Sequence, residues 1–363
     1  MAYPPSDRDG VRNGEKKMKS IHMGAAMLAM AAMLAGMPVP ARDTTASAAA
    51  ADADAASLRA LTFGAWGVDL SARDPSVKPG DDFDRYANGG WSARTEIPAD
   101  QPSAGVDYDV YNLTQRQLRQ LVTGAPATSQ LGGLYQSFMD EARIEALGRK
   151  PLMVDIARVR AIGDKSAMAR FMGQSQGAFG FSVVSGEPYA DSADPTTNVL
   201  WLGQSGLGLP DREYYLSDDF QAQRDAYRAY IVRTMTMIGD PAPEKAADAI
   251  LAFETGIARA SWPIADRRDL GKINNPMSSD ELAAYAPGLD WAAWFAGAGI
   301  APQKRIIVNE NTAVRDIAAL YAKTPLDTIK AWQQFHVADN AANYLSKDWV
   351  DSRFEFTKAM SGV

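Results

Sequence analysis

Residues 78–100 read KPGDDFDRYANGGWSARTEIPAD, and this stretch predicts how the chain begins to fold. Asp81 is placed to cap a short helix in which Phe83 and Tyr86 share one face, and Gly89-Gly90 is a helix stop. A tryptophan follows, which is expected to anchor the segment by packing, and then a strand-like run that ends at a proline. The pattern predicts that capped helices, separated by glycine and proline stops, make up most of the fold.

Downstream, apolar residues recur every three or four positions, which is the spacing of amphipathic helices. The hydroxyl of Ser129 and the pair Thr324-Pro325 are typical of helix starts, and Pro151 opens another helix. The predicted stripes are Tyr111, Leu118, Leu121 and Val122; Leu131, Leu134, Tyr135, Phe138 and Met139; Leu152, Ile156, Val159 and Ile162; Phe220, Tyr227, Ile231 and Ile238; Ile250, Phe253 and Ile257; and Ile329, Trp332, Phe335 and Tyr344.

Two short apolar runs, residues 181–184 and 199–202, are predicted strands, separated by an acidic, proline-containing loop at 187–195. A hairpin alone is marginally stable, so it is expected to pack on the surrounding helices. The predicted fold class is therefore mainly α: a large multi-helix domain with a small two-stranded β element.

The N-terminus is typical of an export signal. Lys16, Lys17 and Lys19 precede an apolar stretch at 23–37, and Ala46-Ser47-Ala48 offers a cleavage site. The sequence predicts a signal peptide and leader at 1–48, a flexible linker at 49–62 and one domain at 63–363. A buried N-terminal helix is the alternative for the apolar stretch. Export places the chain in the periplasm or outside the cell, and no later segment has the apolar length of a stable membrane span.

The residue inventory excludes several kinds of site. Cysteine is absent and the histidines are His22 and His336, of which His22 lies in the predicted leader. A zinc site built on two or three histidines is therefore impossible within the predicted domain. The net charge of −7 argues against nucleic acid as a partner. No catalytic, cofactor-binding or metal-ligating residue is assigned.

Three patterns invite a catalytic interpretation, and each has a simpler one. Residues 244–248 read Glu-x-x-x-Asp, which indicates a solvated helix face in the absence of a histidine pair upstream. The glycine-rich 203–206 segment is close to a nucleophile elbow, yet it lacks a glycine at the fifth position, and His336 is interpreted as packed. The carboxylates at 81–82 and 266–269 are explained by helix capping and an Arg–Asp ion pair.

Four segments, in order, carry a resemblance to a known family: 78–100; LGQSGLGLPDREYYL at 202–216; RRDLGKINNPM at 267–277, followed by Leu282, Ala286-Pro287 and Asp290-Trp291; and 344–362. Together they span nearly all of 63–362. The chain resembles the N-terminal, non-catalytic domain of the neprilysin and endothelin-converting-enzyme family of zinc metallopeptidases.

The resemblance implies a helical domain that faces a catalytic zincin domain across a closed, water-filled chamber. In the family, zinc is held by two histidines of His-Glu-x-x-His and by a glutamate of a later Glu-x-x-x-Asp. None of these ligands can be placed in this chain, so the catalytic domain is expected to be absent from it. The stretch 101–105 also lacks the arginine that grips substrate carboxylates in mammalian members.

Two hypotheses about function follow. In the first, the chain is the N-terminal, substrate-enclosing portion of an exported neprilysin-like zinc endopeptidase that is truncated before its catalytic domain. Its partners are then peptide substrates and the missing catalytic half; Zn²⁺ belongs to the complete enzyme, and the chain alone is expected to be inactive. In the second, it is a stand-alone, non-catalytic protein that binds peptides. The first predicts an exposed apolar face where the other half docks.

Overall fold

The computed structural model describes residues 58–59, 61, 67–98, 101, 103–175 and 179–361. The predicted signal peptide and leader, 1–48, lie outside the described residues, as does most of the predicted linker at 49–62. All described helices and strands lie in the compact unit Leu61–Val363. None of these helices combines the length and apolar character that a membrane crossing requires.

Fourteen α-helices form in the described part of the chain, and the mainly helical fold class is confirmed. They are α1 Phe83–Ser92, α2 Val106–Gly124, α3 Gln130–Met139, α4 Glu141–Leu147, α5 Lys150–Arg160, α6 Lys165–Gln174, α7 Glu213–Leu216, α8 Gln221–Met237, α9 Pro243–Ala260, α10 Ser279–Tyr285, α11 Trp291–Ala298, α12 Asn311–Lys323, α13 Leu326–Ala341 and α14 Lys347–Ser361.

The start of α1 differs from the prediction by one residue, and its end by more. Asp82, not Asp81, caps the helix by accepting a hydrogen bond from the Arg85 amide at 2.9 Å. The helix then runs through Gly89 and Gly90 to Ser92. A Cβ at Gly90 would lie 2.7 Å from the carbonyl oxygen of Arg73. Close backbone approach, not helix termination, therefore explains this glycine.

Residues at the start of α13 also act differently from the prediction. The Thr324 hydroxyl donates to the Leu320 carbonyl, so it closes α12 instead of capping the next helix. Pro325 takes the N-cap position of α13, and Asp327 lies in the first turn of that helix. The predicted helix exists, but its last stripe residue, Tyr344, falls in a 3-10 turn beyond the end of α13.

The described strands form one four-stranded sheet, in the order β1-β2-β4-β3. They are β1 Val184–Ala190, β2 Asn198–Gln204, β3 Asn275–Met277 and β4 Ile306–Val308. β1 and β2 are an antiparallel hairpin, β2 and β4 are parallel, and β3 is antiparallel to β4. Leu200 faces Ile306 and Leu202 faces Val308 in the parallel pair.

The predicted two-stranded element is thus half of the sheet. The first strand begins at Val184 instead of residue 181 and includes 187–190, which were expected to form a loop. β3 and β4 were missed because each has three residues. Runs that short carry no usable periodicity, and they become strands by pairing with distant neighbours.

The core lies where the sheet meets α5, α6 and α8–α13. Its largest fully buried side chains include Trp294, Trp332, Tyr227 and Tyr230. Helices α6 and α11 pack at unusually close range. Extra Cβ atoms at Gly173 and Gly297 would overlap backbone carbonyls of the opposite helix, so both glycines permit this contact.

The N-terminal helices pack differently from this core. Among the described residues 67–149, Leu113 and Gly132 alone are buried. The stripes predicted on α2 and α3 exist, but most of their apolar side chains are exposed. Leu121 is 64% exposed and Leu134 is 70% exposed, and others in this group are Val106, Val110, Tyr111, Leu118 and Leu131.

Candidate functional site

The Glu-x-x-x-Asp pattern lies on an exposed face of α9. Glu244 and Asp248 both pair with Arg228 of α8, at N–O distances of 2.9 and 2.7 Å. Their side chains are 65% and 62% exposed. The two carboxylates therefore link neighbouring helices at the surface, and they do not converge on a site.

The carboxylates at 266–269 have local partners as well. Asp266 pairs with Lys272 at 2.6 Å, and Asp269 accepts a hydrogen bond from the Gly271 amide at 2.9 Å. The expected Arg–Asp pair is absent among the described residues. Arg267 instead contacts the buried carboxylate of Glu310 at 3.1 Å. These groups brace the turn before β3.

The described structure joins His336 to Glu254, with Nε2 of the imidazole 2.7 Å from Oε1 of the carboxylate. A nucleophile elbow would need His336 to contact Ser205, but the imidazole is bonded to Glu254 instead. The side chains of His336 and Glu254 are 3% and 0% exposed. The interpretation of His336 as a packed residue fits this burial.

Glu254 is the centre of a buried polar cluster, which we call the Glu254 network. Its carboxylate accepts hydrogen bonds from the Tyr215 hydroxyl at 2.6 Å, the Tyr227 hydroxyl at 3.2 Å and the Trp332 indole at 3.0 Å. The Gly208 amide contributes a longer bond of 3.4 Å. Because a carboxylate accepts, Nε2 of His336 carries the hydrogen of its bond.

The network joins α7, α8, α9 and α13 to the glycine-rich loop. Tyr215 accepts a hydrogen bond from the Leu209 amide at 2.8 Å while donating to Glu254. A Cβ at Gly208 would overlap the Tyr227 hydroxyl, so a glycine is needed at that position. One carboxylate therefore fixes the path of residues 206–209 across the helices.

Burial and charge keep the two phenols in their neutral, donating form. Burial, and then the charge of Glu254, raises the pKa of both Tyr215 and Tyr227 well above the ordinary value of 10.0. A carboxylate, an imidazole and two phenols could exchange protons, but these groups are closed off from solvent. The arrangement is suited to positioning the loop, not to turning over a substrate.

Sequence reasoning missed Glu254. It occupies the same helical face as Ile250, Phe253 and Ile257, all of which are buried in α9. A glutamate inside an apolar stripe is costly unless it is hydrogen-bonded, so its position was the available signal. The partners could not be named, because they come from other helices.

Two adjoining clefts open beside the glycine-rich loop. One of about 180 Å³ is lined by Ser205, Gly206 and Arg267, and one of about 390 Å³ by Arg259 and Trp262; Arg212 and Ser261 line both. The Arg212 guanidinium donates to the Ala258 carbonyl at the end of α9 and contacts Glu213. Most of the charged lining is thus already used by the fold.

A larger cleft of about 640 Å³ lies between α3–α4 and the start of α14. Its apolar lining includes Phe138, Met139, Ile144, Tyr344 and Val350. The rings of Phe138 and Tyr344 meet edge to face, with centroids 6.2 Å apart. The volume falls within the range of small-ligand and peptide sites.

The family can now be assigned. An N-terminal family model described as Peptidase family M13 matches residues 79–363. The chain belongs to peptidase family M13. This match confirms the resemblance to the neprilysin and endothelin-converting-enzyme family that the sequence indicated.

Curated relatives agree with this assignment. The chain is 26% identical over 313 residues to endothelin-converting enzyme 1 of Mus musculus, and 27% identical to that of Homo sapiens. Endothelin-converting enzyme-like 1 of Mus musculus is 25% identical over 319 residues. Each match covers 81% of this chain but 41% of the relative. The chain thus spans less than half the length of these relatives.

Solved structures of family members have the same fold. The zinc metalloprotease ZMP1 of Mycobacterium tuberculosis, in complex with an inhibitor, matches with a TM-score of 0.73 and 29% identity. That match covers 83% of this chain and 47% of ZMP1. PepO of Lactobacillus rhamnosis matches with a TM-score of 0.65 and 20% identity, which supports the fold alone.

Members of family M13 are zinc peptidases, but the residues that the structure describes do not fit a zinc ion. Among the described residues, no three His, Cys, Asp or Glu side chains come together as a metal site. His336 is the one imidazole outside the predicted leader, and it is engaged with Glu254 inside the core. No zinc-dependent step can therefore be assigned to the described part of this chain.

Proposed function

We propose that this chain is the N-terminal, substrate-enclosing portion of an exported zinc endopeptidase of family M13. The catalytic half would supply the zinc ligands and the general base. This portion would wall the chamber and limit the size of the peptides that enter. By itself the chain would be inactive, since its inventory of donors provides no zinc site.

The exposed apolar residues of α2 and α3 carry this proposal. Leu121 and Leu134, more than three-fifths exposed, stand on helices that the described structure leaves largely unburied. Contiguous exposed apolar surface on a protein is typical of an interface. A second half of the peptidase, docked on these helices, would remove it from water.

The rest of the described domain suits the role of a rigid wall. The Glu254 network ties four helices and the loop at 206–209 together through hydrogen bonds. A fully satisfied buried network stiffens the structure around it. A stiff wall can exclude large substrates because it does not yield to them.

Reconstitution tests the proposal. The full chain is mixed with the separately produced C-terminal half of an M13 peptidase, and hydrolysis of an internally quenched peptide is followed with and without a chelator. We expect cleavage only when both parts are present and the chelator is absent. Leu121→Ser with Leu134→Ser should lower the yield of active complex, whereas the exposed control Leu270→Ser should not.

Hydrolysis by the chain alone, inhibited by a chelator and accompanied by stoichiometric zinc, would refute this proposal. The proposal would also be contradicted if every mixture stayed inactive and the chain bound an apolar dye equally well with and without the C-terminal half. A productive mixture that is insensitive to the serine substitutions would place the docking face elsewhere and contradict the argument from α2 and α3.

Export is part of the proposal and has its own test. The basic residues at 16–19, the apolar stretch at 23–37 and the Ala-x-Ala site at 46–48 support it. N-terminal sequencing of protein recovered from the periplasm or medium should give a chain that starts at Ala49. Recovery of uncleaved protein from the cytoplasm contradicts export.

A stand-alone peptide-binding protein is the second candidate. It is favoured by the core of residues 150–361, in which Trp294, Trp332 and Phe335 are fully buried without any further domain. This candidate predicts a monomer that unfolds cooperatively and retains intact peptides. Sedimentation of the full chain separates it from the first, which predicts self-association through exposed apolar helices.

A further inference from the structure

The cleft of about 640 Å³ between α3–α4 and α14 combines an apolar floor with an acidic rim. We call it the acidic-rimmed cleft. Phe138 and Met139 are half exposed at its floor, and Tyr344 is 60% exposed. An apolar side chain from a partner could therefore bury substantial surface here without moving the backbone of this chain.

The rim carries four carboxylates and one ammonium group: Glu141, Glu145, Asp348 and Asp351, with Lys347. Asp351 binds the Lys347 ammonium at 2.6 Å, and Glu145 accepts a hydrogen bond from the Lys347 backbone amide. Among the described residues, Glu141 and Asp348 have no ion pair. With four carboxylates and one ammonium group, the rim carries a net negative charge beside the apolar floor.

This combination of charge and shape selects one kind of occupant. A negatively charged rim repels anionic lipid, and it disfavours a second copy of a chain whose net charge is −7. An apolar groove accepts side chains at helical spacing, and its carboxylates favour lysine or arginine beside them. We propose that the acidic-rimmed cleft binds a cationic peptide segment through apolar anchor residues.

The proposed site needs neither zinc nor a catalytic half, so it goes beyond the peptidase role and can be tested on this chain alone. The floor residues belong to α3 and to the 3-10 turn before α14, whereas the Glu254 network lies inside the core. A peptide held in this cleft would therefore be bound without contacting that network.

The test uses the full chain and two fluorescein-labelled peptides with leucines at helical spacing. One carries lysines on its polar face and the other carries glutamates at the same positions. Fluorescence anisotropy should show tight binding of the lysine peptide and none of the glutamate peptide. Raising the salt from about 0.01 to 0.15 M should weaken the binding, because the rim is open to solvent.

Two sets of variants separate charge from apolar contact. Glu141→Gln with Asp348→Asn should raise the Kd of the lysine peptide about fivefold at low salt. Phe138→Ser should raise it about tenfold at either salt concentration, since it removes an apolar anchor point. Glu141 and Asp348 lie in the first turns of their helices, as Asp327 does in α13, so Asp327→Asn is the matched control. It should leave the Kd unchanged.

Several results would overturn the inference. They are equal binding of the two peptides, no binding of the lysine peptide, and a Kd of the lysine peptide that is the same for both sets of variants as for the wild type. Sedimentation that shows a dimer abolished by Phe138→Ser would assign the cleft to a second copy of the chain. Loss of peptide binding once the reconstituting C-terminal half is added would assign it to packing between the halves.

Discussion

Glu254 accepts hydrogen bonds from five donors of the described chain, although its side chain has no contact with solvent. Such a group costs a large desolvation energy, which its donors offset only while all of them are present. The residue is therefore a point where a small chemical change has a large effect on stability.

Glu254→Gln should lower the free energy of unfolding by about 3 kcal/mol. The amide keeps the size of the side chain but turns two hydrogens toward groups that are themselves donors. Urea denaturation followed by circular dichroism measures the change. Glu244→Gln, on the exposed face of the same helix, should change stability by no more than about 0.5 kcal/mol. Equal effects of both substitutions would contradict the account of the network.

Asp191 gives a prediction about pH. Its two oxygens bind Arg305 at 2.6 and 2.8 Å, which joins the end of β1 to the residue before β4. These bonds, together with the Ala193 amide, hold the pKa of Asp191 below its ordinary value of 3.8. A lowered pKa means that the unfolded chain binds the proton more readily.

The stabilisation by Asp191 is therefore complete well above pH 3.8 and is lost as the pH falls through the pKa of the folded state. Wild type and Asp191→Asn should differ in urea midpoint at neutral pH and converge as the solution becomes more acidic. The exposed control Glu187→Gln should track the wild type at each pH. A difference that grows in acid would contradict the assignment.

At the scale of elements, the contact between α6 and α11 depends on two glycines. A Cβ at Gly173 would overlap the Trp294 carbonyl, and one at Gly297 would overlap the Arg170 carbonyl. Helix backbones can approach this closely only where a side chain is missing. The two helices can therefore pack this closely because neither glycine has a side chain at the crossing.

Gly173→Ala should destabilise the protein by about 2–3 kcal/mol, because a methyl group must be fitted between two helix backbones. Gly133→Ala is the matched control, since its Cβ would meet the Ala127 carbonyl at an ordinary 3.6 Å. That control should stabilise α3 by up to about 1 kcal/mol. Thermal unfolding of both variants tests this prediction: Gly173→Ala should lower the midpoint of unfolding and Gly133→Ala should raise it.

At the scale of the whole molecule, stability is expected to be uneven. Residues 150–361 surround the core, whereas 67–149 bury Leu113 and Gly132 alone among the described positions. Segments with few buried contacts open with a smaller free energy than the core does.

Native-state hydrogen exchange should therefore show amides of α2 and α3 exchanging faster than those of α5, α8 and α9. Addition of the C-terminal half of an M13 peptidase should slow exchange in α2 and α3 and leave the core unchanged. Uniform protection across all these helices in the chain alone would contradict the view that α2 and α3 await a partner.

Much of the local structure followed from the sequence. Apolar spacing and capping residues placed α2, α3, α5, α8 and α9, because helix formation depends on neighbours three and four positions away. The absence of thiols and the lone imidazole beyond the predicted leader argue against a zinc site built on histidines or cysteines, because ligand chemistry is fixed by composition.

Tertiary structure decided the rest. β3 and β4 exist because they pair with each other and with β2, and Glu254 is tolerated because donors from α7, α8 and α13 reach it. Periodicity predicts the apolar stripe of α2, but it does not predict whether another part of the protein buries that stripe. That depends on residues distant in sequence, and their positions become defined only when the chain has folded.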